Sequence, residues 1–404
     1  MRVEKPSLTL FLGAGFSEGV RLPSTSDLTK LVRELDQAEQ QQPFMNPRAP
    51  MSSAFWKMAS GYYSDPNFET VLHLVETAMA YSGIRDFLAT PDGQKSAYGA
   101  FMQLMPQWAG FVENGTQRYQ IPLFQEFYDA AIQAIAVNLL YSLEAASEKI
   151  ETVVRPFIQA LVERFEVTIV TLNYDDIIER CLPSWRDGFN PEGLFDPESL
   201  MHSGSGPLII HLHGSVRFYS YAPQSPFQSP GPDWKPTPIS ERIRRAGDPN
   251  NLSGLNRTVQ VSGTAQSGDH ILISPMISGL RKLDKTIVNP FGYYQHFFRD
   301  ALLKSPRLLT IGYGGRDIYV SAQLVDMPRL HKDRLRAVFV TRPDADMGVP
   351  AMVLGLSEQD VERDKQLLRS NFHTDTGAVY AGGFPLEEAE QEKIFDLLSE
   401  KVDD

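Results

Sequence analysis

The stretch Thr171-Leu-Asn-Tyr-Asp-Asp-Ile-Ile-Glu-Arg180 sets an amide and two carboxylates, Asn173, Asp175 and Asp176, just after the apolar run Val167–Val170. An amide in that place can orient a water or a hydroxyl and stays neutral at any working pH, while a carboxylate can hold a proton. The same residues also build an Asx turn with a capping carboxylate, and alone the segment reads as that turn. A second group is His211-Leu-His213-Gly214-Ser215. Strand alternation puts His211 and His213 on one side and Leu212 on the other, with His213 at the mouth beside a permissive glycine. Imidazole exchanges a proton near neutral pH, although a strand-end histidine is more often a satisfied structural residue. Two histidines so spaced also suggest a metal, but no His-rich or Cys-rich segment completes such a site, so none is expected. Two glycine turns complete the set. In Phe11-Leu-Gly-Ala-Gly-Phe-Ser-Glu-Gly19, Gly13 and Gly15 allow a tight turn and close approach of backbone N–H groups to a ligand. The next helix would aim its N-terminus at a phosphate, though Glu18 stands where a dehydrogenase fingerprint has glycine. In Ile311-Gly-Tyr-Gly-Gly-Arg-Asp317, glycines again let backbone approach a ligand, and Asp317 is placed to cap the following helix. A strand-to-helix turn needs glycine for its own sake, so each motif taken singly is ambiguous.

Each motif follows a short apolar run. Leu8–Leu12, Val167–Thr171, Leu208–Leu212, Ile271–Ser274, Leu308–Ile311 and Ala337–Thr341 are spaced as strands of a parallel sheet buried on both faces. Ligands of such sheets bind outside the carboxyl ends of the strands, where these motifs lie. Between the first two runs the pattern turns helical. Ser24 and Asp27 mark a helix start, Asn67 caps a helix over Phe68–Glu76, Leu123–Ile150 has no internal Pro or Gly, and Val153–Phe165 carries Pro156 near its start. The expected division is a sheet domain over 1–45 and 166–345, an inserted helical module over 46–165, and a C-terminal tail over 346–404 with helices at Glu358–Ser370 and Leu386–Lys401. Tyr221–Gly268 is a Pro/Ser/Gly-rich long loop holding Arg242, Arg244 and Arg245, with no legible chemistry.

Composition excludes some classes. The chain has 404 residues, 42% hydrophobic and 22% charged, as in soluble globular proteins. A net charge of −12 argues against a general nucleic-acid or anionic-membrane surface. No apolar run approaches the roughly 20 residues of a membrane span, and the N-terminus does not read as a signal peptide. The single cysteine, Cys181, cannot form a disulfide framework within the chain and reads as a buried core residue. The expected location is cytoplasmic.

Taken in order, Gly13-Ala-Gly15-Phe-Ser17, Thr171-Leu-Asn173-Tyr-Asp175, His213-Gly214, and Gly312-Tyr313 with Asp317 resemble the sirtuin-like NAD-binding domain. The likeness is to its bacterial branch, whose members hydrolyse NAD in antiphage defence. Leu22-Pro23, Phe68–Leu72 and Tyr293-Tyr294 resemble that branch too. The resemblance runs from about Leu8 to Thr341, is sparse in the helical block and is absent from the tail.

The resemblance implies an α/β fold with a Rossmann-like, mostly parallel sheet and a large inserted helical module. It implies that Asn173 and His213 are the catalytic pair. Gly13, Ala14, Gly15 and Ser17 would hold the pyrophosphate side of NAD, with Phe16 in the same cofactor-binding turn. Asp175 would lie near the nicotinamide, Gly312 and Tyr313 would sit at the adenosine side, and Asp317 is grouped with the cofactor-binding residues; Asp176 would simply cap a helix. NAD is then the substrate and no metal is implied. Protein deacylases of the wider family carry a four-cysteine zinc module, which a chain with Cys181 alone lacks, so NAD hydrolysis is favoured over deacylation or ADP-ribosyl transfer. A non-catalytic NAD or ADP-ribose sensor is the third reading; it needs the glycines but not His213. An unrestrained NADase would poison its own cell, so control by homo-oligomerisation or by a HerA-type hexameric ATPase is expected, with no direct nucleic-acid or membrane binding.

Overall fold

The computed structural model describes residues 5–40, 49–88, 120–201, 206–221, 241–248, 251–264, 270–278, 282, 285–286, 288–342, 345–356, 372–374 and 377–400. The chain is an α/β protein. Its principal elements run β1 (Ser7–Leu12), α1 (Ala14–Gly19), α2 (Thr25–Gln40), α3 (Ala49–Tyr62), α4 (Phe68–Leu88), α5 (Gln120–Ala145), α6 (Arg155–Arg164), β2 (Glu166–Thr171) and α7 (Ile177–Cys181). There follow β3 (Leu208–His211), β4 (Phe218–Ser220), β5 (Ile243–Arg245), β6 (Gln260–Thr264), β7 (His270–Ile273), α8 (Phe291–Lys304), β8 (Arg307–Ile311) and α9 (Ile318–Leu324). The last are β9 (Arg336–Val340), α10 (Gly348–Val353), β10 (Phe372–Thr374), β11 (Gly377–Tyr380) and α11 (Glu388–Ser399). They divide into two compact units, one of Met1–Ser24, Leu139–Arg217 and Pro290–Asp404, the other of Thr25–Asn138 and Phe218–Asn289.

The first unit is built on a seven-stranded sheet in the order β10-β11-β9-β8-β1-β2-β3. The six strands from β11 to β3 are parallel, and β10 is antiparallel to β11 at the edge. Leu-Thr-Leu-Phe-Leu in β1 and Leu-Leu-Thr-Ile in β8 are buried along their length, as strands covered on both faces must be. Phe11 meets Phe298 of α8 at 5.7 Å between ring centroids. Phe157 of α6 meets Phe384 and Phe395 at 5.6 and 6.0 Å. Pro156 comes just after a π-helical turn, Ile150–Val154, that runs without a break into α6.

Strand order reverses at β1: β2 and β3 lie to one side, β8 and β9 to the other. This is the switch point at which doubly wound sheets place their ligands. Past their last residues the chains add one more rung. Gly13 N donates to Ile311 O at 2.9 Å and Gly312 N to Val340 O at 2.8 Å; Leu172 N donates to Leu12 O and Leu212 N to Thr171 O, each at 3.0 Å. The turns after β1, β2, β3 and β8 are thereby held along one edge.

In the second unit α2, α3 and α4 pack on one another and α4 packs on β7. Asn67 caps α4 as expected, its Oδ1 accepting from Thr70 N at 3.0 Å. Burying Glu76 and Lys285 requires that both be paired. Glu76 Oε1 accepts from Lys285 Nζ and, at 2.7 Å, from Tyr128 OH, and Lys285 also donates to Ser278 O at 2.7 Å.

Several expectations need correction. The run Ile271–Ser274 is not in the central sheet; β7 pairs antiparallel with β6 in a two-stranded sheet of the second unit. Its place is taken by β11, whose Ala378 pairs with Val338 of β9. The C-terminal segment is not a separate tail: β11 and α11 complete the sheet unit. Residues 139–165 also group with the sheet, while 25–45 and 218–289 group with the helices, so the module differs from the expected 46–165. The helix expected at 358–370, and 222–240, 249–250 and 265–268 of the long loop, lie outside the described residues. Among the described residues no single helix is long and apolar enough to cross a membrane.

Candidate active site

Asn173 stands just past β2 and is nearly buried. Its backbone N–H donates to Thr171 Oγ1 at 3.0 Å. Its side-chain Nδ2 donates to Gly13 O at 3.0 Å and to Ser17 Oγ at 2.9 Å. Ser17 Oγ spends its one proton on Asp175 Oδ2, at 2.6 Å. A serine that donates to a carboxylate can only accept from the amide, and a carbonyl such as Gly13 O only accepts. Both contacts therefore fix the same amide orientation, with Nδ2 turned to Gly13 O and Ser17 Oγ.

Asp175 is the buried end of this chain of bonds. Its Oδ1 accepts from Ile177 N at 3.2 Å, closing the Asx turn that starts α7. The expected cap, Asp176, does not cap: its Oδ1 accepts from Arg180 Nε at 2.7 Å. Burial pushes the Asp175 carboxyl up to about 6, against the lowering effect of the Ser17 and Ile177 bonds. Burial also raises Asp176, with the Glu179 charge adding to it and Arg180 opposing.

The glycine turns meet each other directly. Gly15 N donates to Gly312 O at 2.9 Å and Phe16 N to Gly13 O at 3.0 Å. A Cβ on Gly13 would lie 2.6 Å from Gly312 O, and one on Gly312, at φ +69°, 2.2 Å from Phe16 N. Glycine is required here because two backbones touch. The N–H groups of Gly13, Gly15 and Phe16 are thus engaged within the protein, and Ala14 is the exposed residue of the turn. Phe16 is a core side chain, 4.8 Å from the Phe384 ring.

His213 forms the third part. Its Nε2 lies 3.1 Å from Asp317 Oδ2. Asp317 caps α9 as expected, its Oδ1 accepting from Tyr319 N at 3.1 Å and Val320 N at 3.2 Å. Tyr313, buried against Phe11 at 5.0 Å, donates its hydroxyl to Asp317 O at 2.9 Å; burial raises its phenol. The β3 end is tied to the β2 end by Val216 N donating to Tyr174 O at 2.7 Å.

His211 does not share the surroundings of His213, because β3 ends at His211 and the chain turns. Its Nε2 forms a fully buried ion pair with Glu179 Oε1 at 3.1 Å. Burial opposes charge on both, but the pair prevails: His211 is raised and Glu179 lowered. Glu179 was not singled out by the sequence; its spacing of three from Asp176 on an apolar helix was the available signal. Cys181 is buried as expected, its thiol pushed up to about 12 by burial.

The second unit has a separate cavity of about 350 Å³ lined by Glu126, Asp129, Gln133 and Arg257 among others. Burial pushes its Asp129 up to about 7. None of the sheet-edge motifs contributes to it.

Fold and site together describe a Rossmann-like α/β protein with an oriented amide, a buried carboxyl and a His–Asp pair along the carboxyl edge of its parallel strands. The sequence matches no protein-family model and no curated protein.

Proposed function

We propose that this chain is an NAD glycohydrolase that cleaves the bond between nicotinamide and ribose. The observation that supports the reading is the double restraint on the Asn173 amide, through Gly13 O and Ser17 Oγ, just past the end of β2. In the reaction the C1′–N1 bond breaks and its electron pair neutralises the pyridinium nitrogen, so nicotinamide leaves without a general acid. A water oxygen bonds to C1′, and its proton passes to His213. Asn173 Oδ1 accepts from that water or from a ribose hydroxyl and supports the positive charge that develops on the ribose. The absence of an acid requirement separates this reaction from ordinary glycoside hydrolysis, which uses two flanking carboxylates.

Ala14, exposed at the tip of the β1 turn, is the residue placed to meet the pyrophosphate; Gly13 and Gly15 shape that turn. The sirtuin-like resemblance adds a role in antiphage defence through NAD depletion in the cytoplasm, and control by self-assembly or by a HerA-type ATPase.

The test is nicotinamide release from NAD by the purified chain, alone and with any co-purifying ATPase, beside Asn173→Ala and His213→Ala. Each variant should lose at least about 100-fold in rate. Release that survives either substitution removes that residue from the mechanism. Tight NAD binding with no release in any sample favours a sensor.

A further inference from the structure

We propose that Asp317 is a positioning residue for His213: it acts through the imidazole and does not touch the dinucleotide. The inference rests on the reading of His213 as the proton acceptor. The likeness to NAD-binding proteins groups Asp317 with the ligand contacts, but its bonds point elsewhere. One carboxylate oxygen is used by the first turn of α9, through Tyr319 N and Val320 N. The other meets His213 Nε2 at 3.1 Å. Its main-chain carbonyl accepts from Tyr313 OH at 2.9 Å, and that hydroxyl also lies 2.9 Å from Ser321 Oγ, one turn further along α9. Asp317 is therefore fixed at both carboxylate oxygens and at its carbonyl, and its side chain is only 9% exposed.

The consequence falls on the ring. A carboxylate only accepts, so the contact at Nε2 places the proton there. The basic lone pair is then on Nδ1, which is the nitrogen that takes the water proton. A carboxylate behind the ring also stabilises the imidazolium as it forms, the role an orienting acid plays in other base-catalysed sites. The two residues are 104 apart in sequence, and the sheet edge joins them: His213 follows β3 and Asp317 follows β8.

Two substitutions separate positioning from folding, because asparagine and serine are both good N-caps. Asp317→Asn and Asp317→Ser should each keep the melting temperature within about 2 °C and lower kcat about 10- to 100-fold with KM changed less than about twofold. Ring ¹⁵N shifts of His213, assigned with His213→Gln, should show the Nε2–H tautomer in the natural chain and its loss in Asp317→Asn. An unchanged kcat, a loss confined to KM, or an Nδ1–H ring in the natural chain overturns the proposal. If the natural chain releases no nicotinamide, the hydrolase reading fails, and the ring ¹⁵N shifts still decide whether Asp317 sets the tautomer.

Discussion

Asp175 and Glu179 lie four residues apart where β2 passes into α7, both are buried, and they titrate in opposite directions. Burial is the largest influence on each and pushes each upward. Glu179 is held down nonetheless because the His211 imidazole stands 3.1 Å away and Arg217 adds a second positive charge. Among the described residues Asp175 accepts only from neutral donors, Ser17 Oγ and Ile177 N, and has the like charges of Asp176 and Glu179 nearby. Burial therefore does not distinguish a reactive carboxyl from a scaffold one; the charge of the partner does. Glu179 and His211 fasten α7 to β3, and Asp175, just past β2, holds its proton to a higher pH than a free carboxyl.

The largest break in this contrast is Glu179→Gln. It leaves His211 buried without its carboxylate, and removing one partner of such a pair costs about 3 kcal/mol. The raised His211 contributes stability that is full below its unfolded value of about 6.5 and is lost as pH rises through its folded value. The lowered Glu179 contributes stability that is full above about 4.5 and is lost as pH falls through its folded value. The loss in the variant should thus peak between about pH 5 and 6.5 and shrink on either side. Denaturant midpoints of both proteins across this range measure it. A pH-independent difference would mean that packing, not charge, holds the pair.

Asp175→Asn should act in the opposite sense. A carboxyl whose folded value is about 6, against 3.8 unfolded, binds its proton more tightly in the folded state. Stability then falls as pH rises from about 4 to 6, and above that the ionised group costs on the order of 3 kcal/mol. The asparagine variant should be the more stable protein at pH 8, lose that advantage below about pH 4, and release nicotinamide more slowly. A variant less stable at pH 8 would show that the ionised carboxyl is welcome in its site. The expected combination of gained stability and lost activity is the trade-off of a functional group kept in an unfavourable place.

Much of this arrangement was legible in the residues. The apolar runs of β1, β2, β3, β8 and β9 have the length and continuity of strands buried on both faces, and the motifs at their ends belong to one edge. Pairing partners are less legible, since an apolar run does not encode what it pairs with. Ile271–Ser274 therefore looked like a sixth parallel strand, while Gly377–Tyr380, four residues long and opened by glycine, gave little signal. Within the site, residue types pointed to Asn173 and His213, but their restraints are long-range. Ser17 reaches Asn173 across 156 residues. The exchange of roles between Asp175 and Asp176, one capping and one in an ion pair, turns on a side-chain rotation that neighbouring identical residues cannot disclose.

Ser17→Ala sharpens the contrast by the smallest change. The hydroxyl donates to Asp175 and accepts from Asn173, so alanine removes both bonds and adds no charge. Asn173 keeps its bond to Gly13 O, so its amide is held by one restraint where there were two. Loss of one hydrogen-bond hub costs about 1–2 kcal/mol. Because the Ser17 bond holds the Asp175 carboxyl down, its titration should move above about 6. The interval in which stability falls with rising pH then extends upward, while the His211–Glu179 contribution is unchanged. Nicotinamide release should drop about tenfold, far less than in Asn173→Ala. The pH dependence of stability in Ser17→Ala against the natural chain is the deciding measurement. Superimposable curves would mean that Asp175 does not feel Ser17, and the chain from carboxyl through hydroxyl to amide would be broken at its centre.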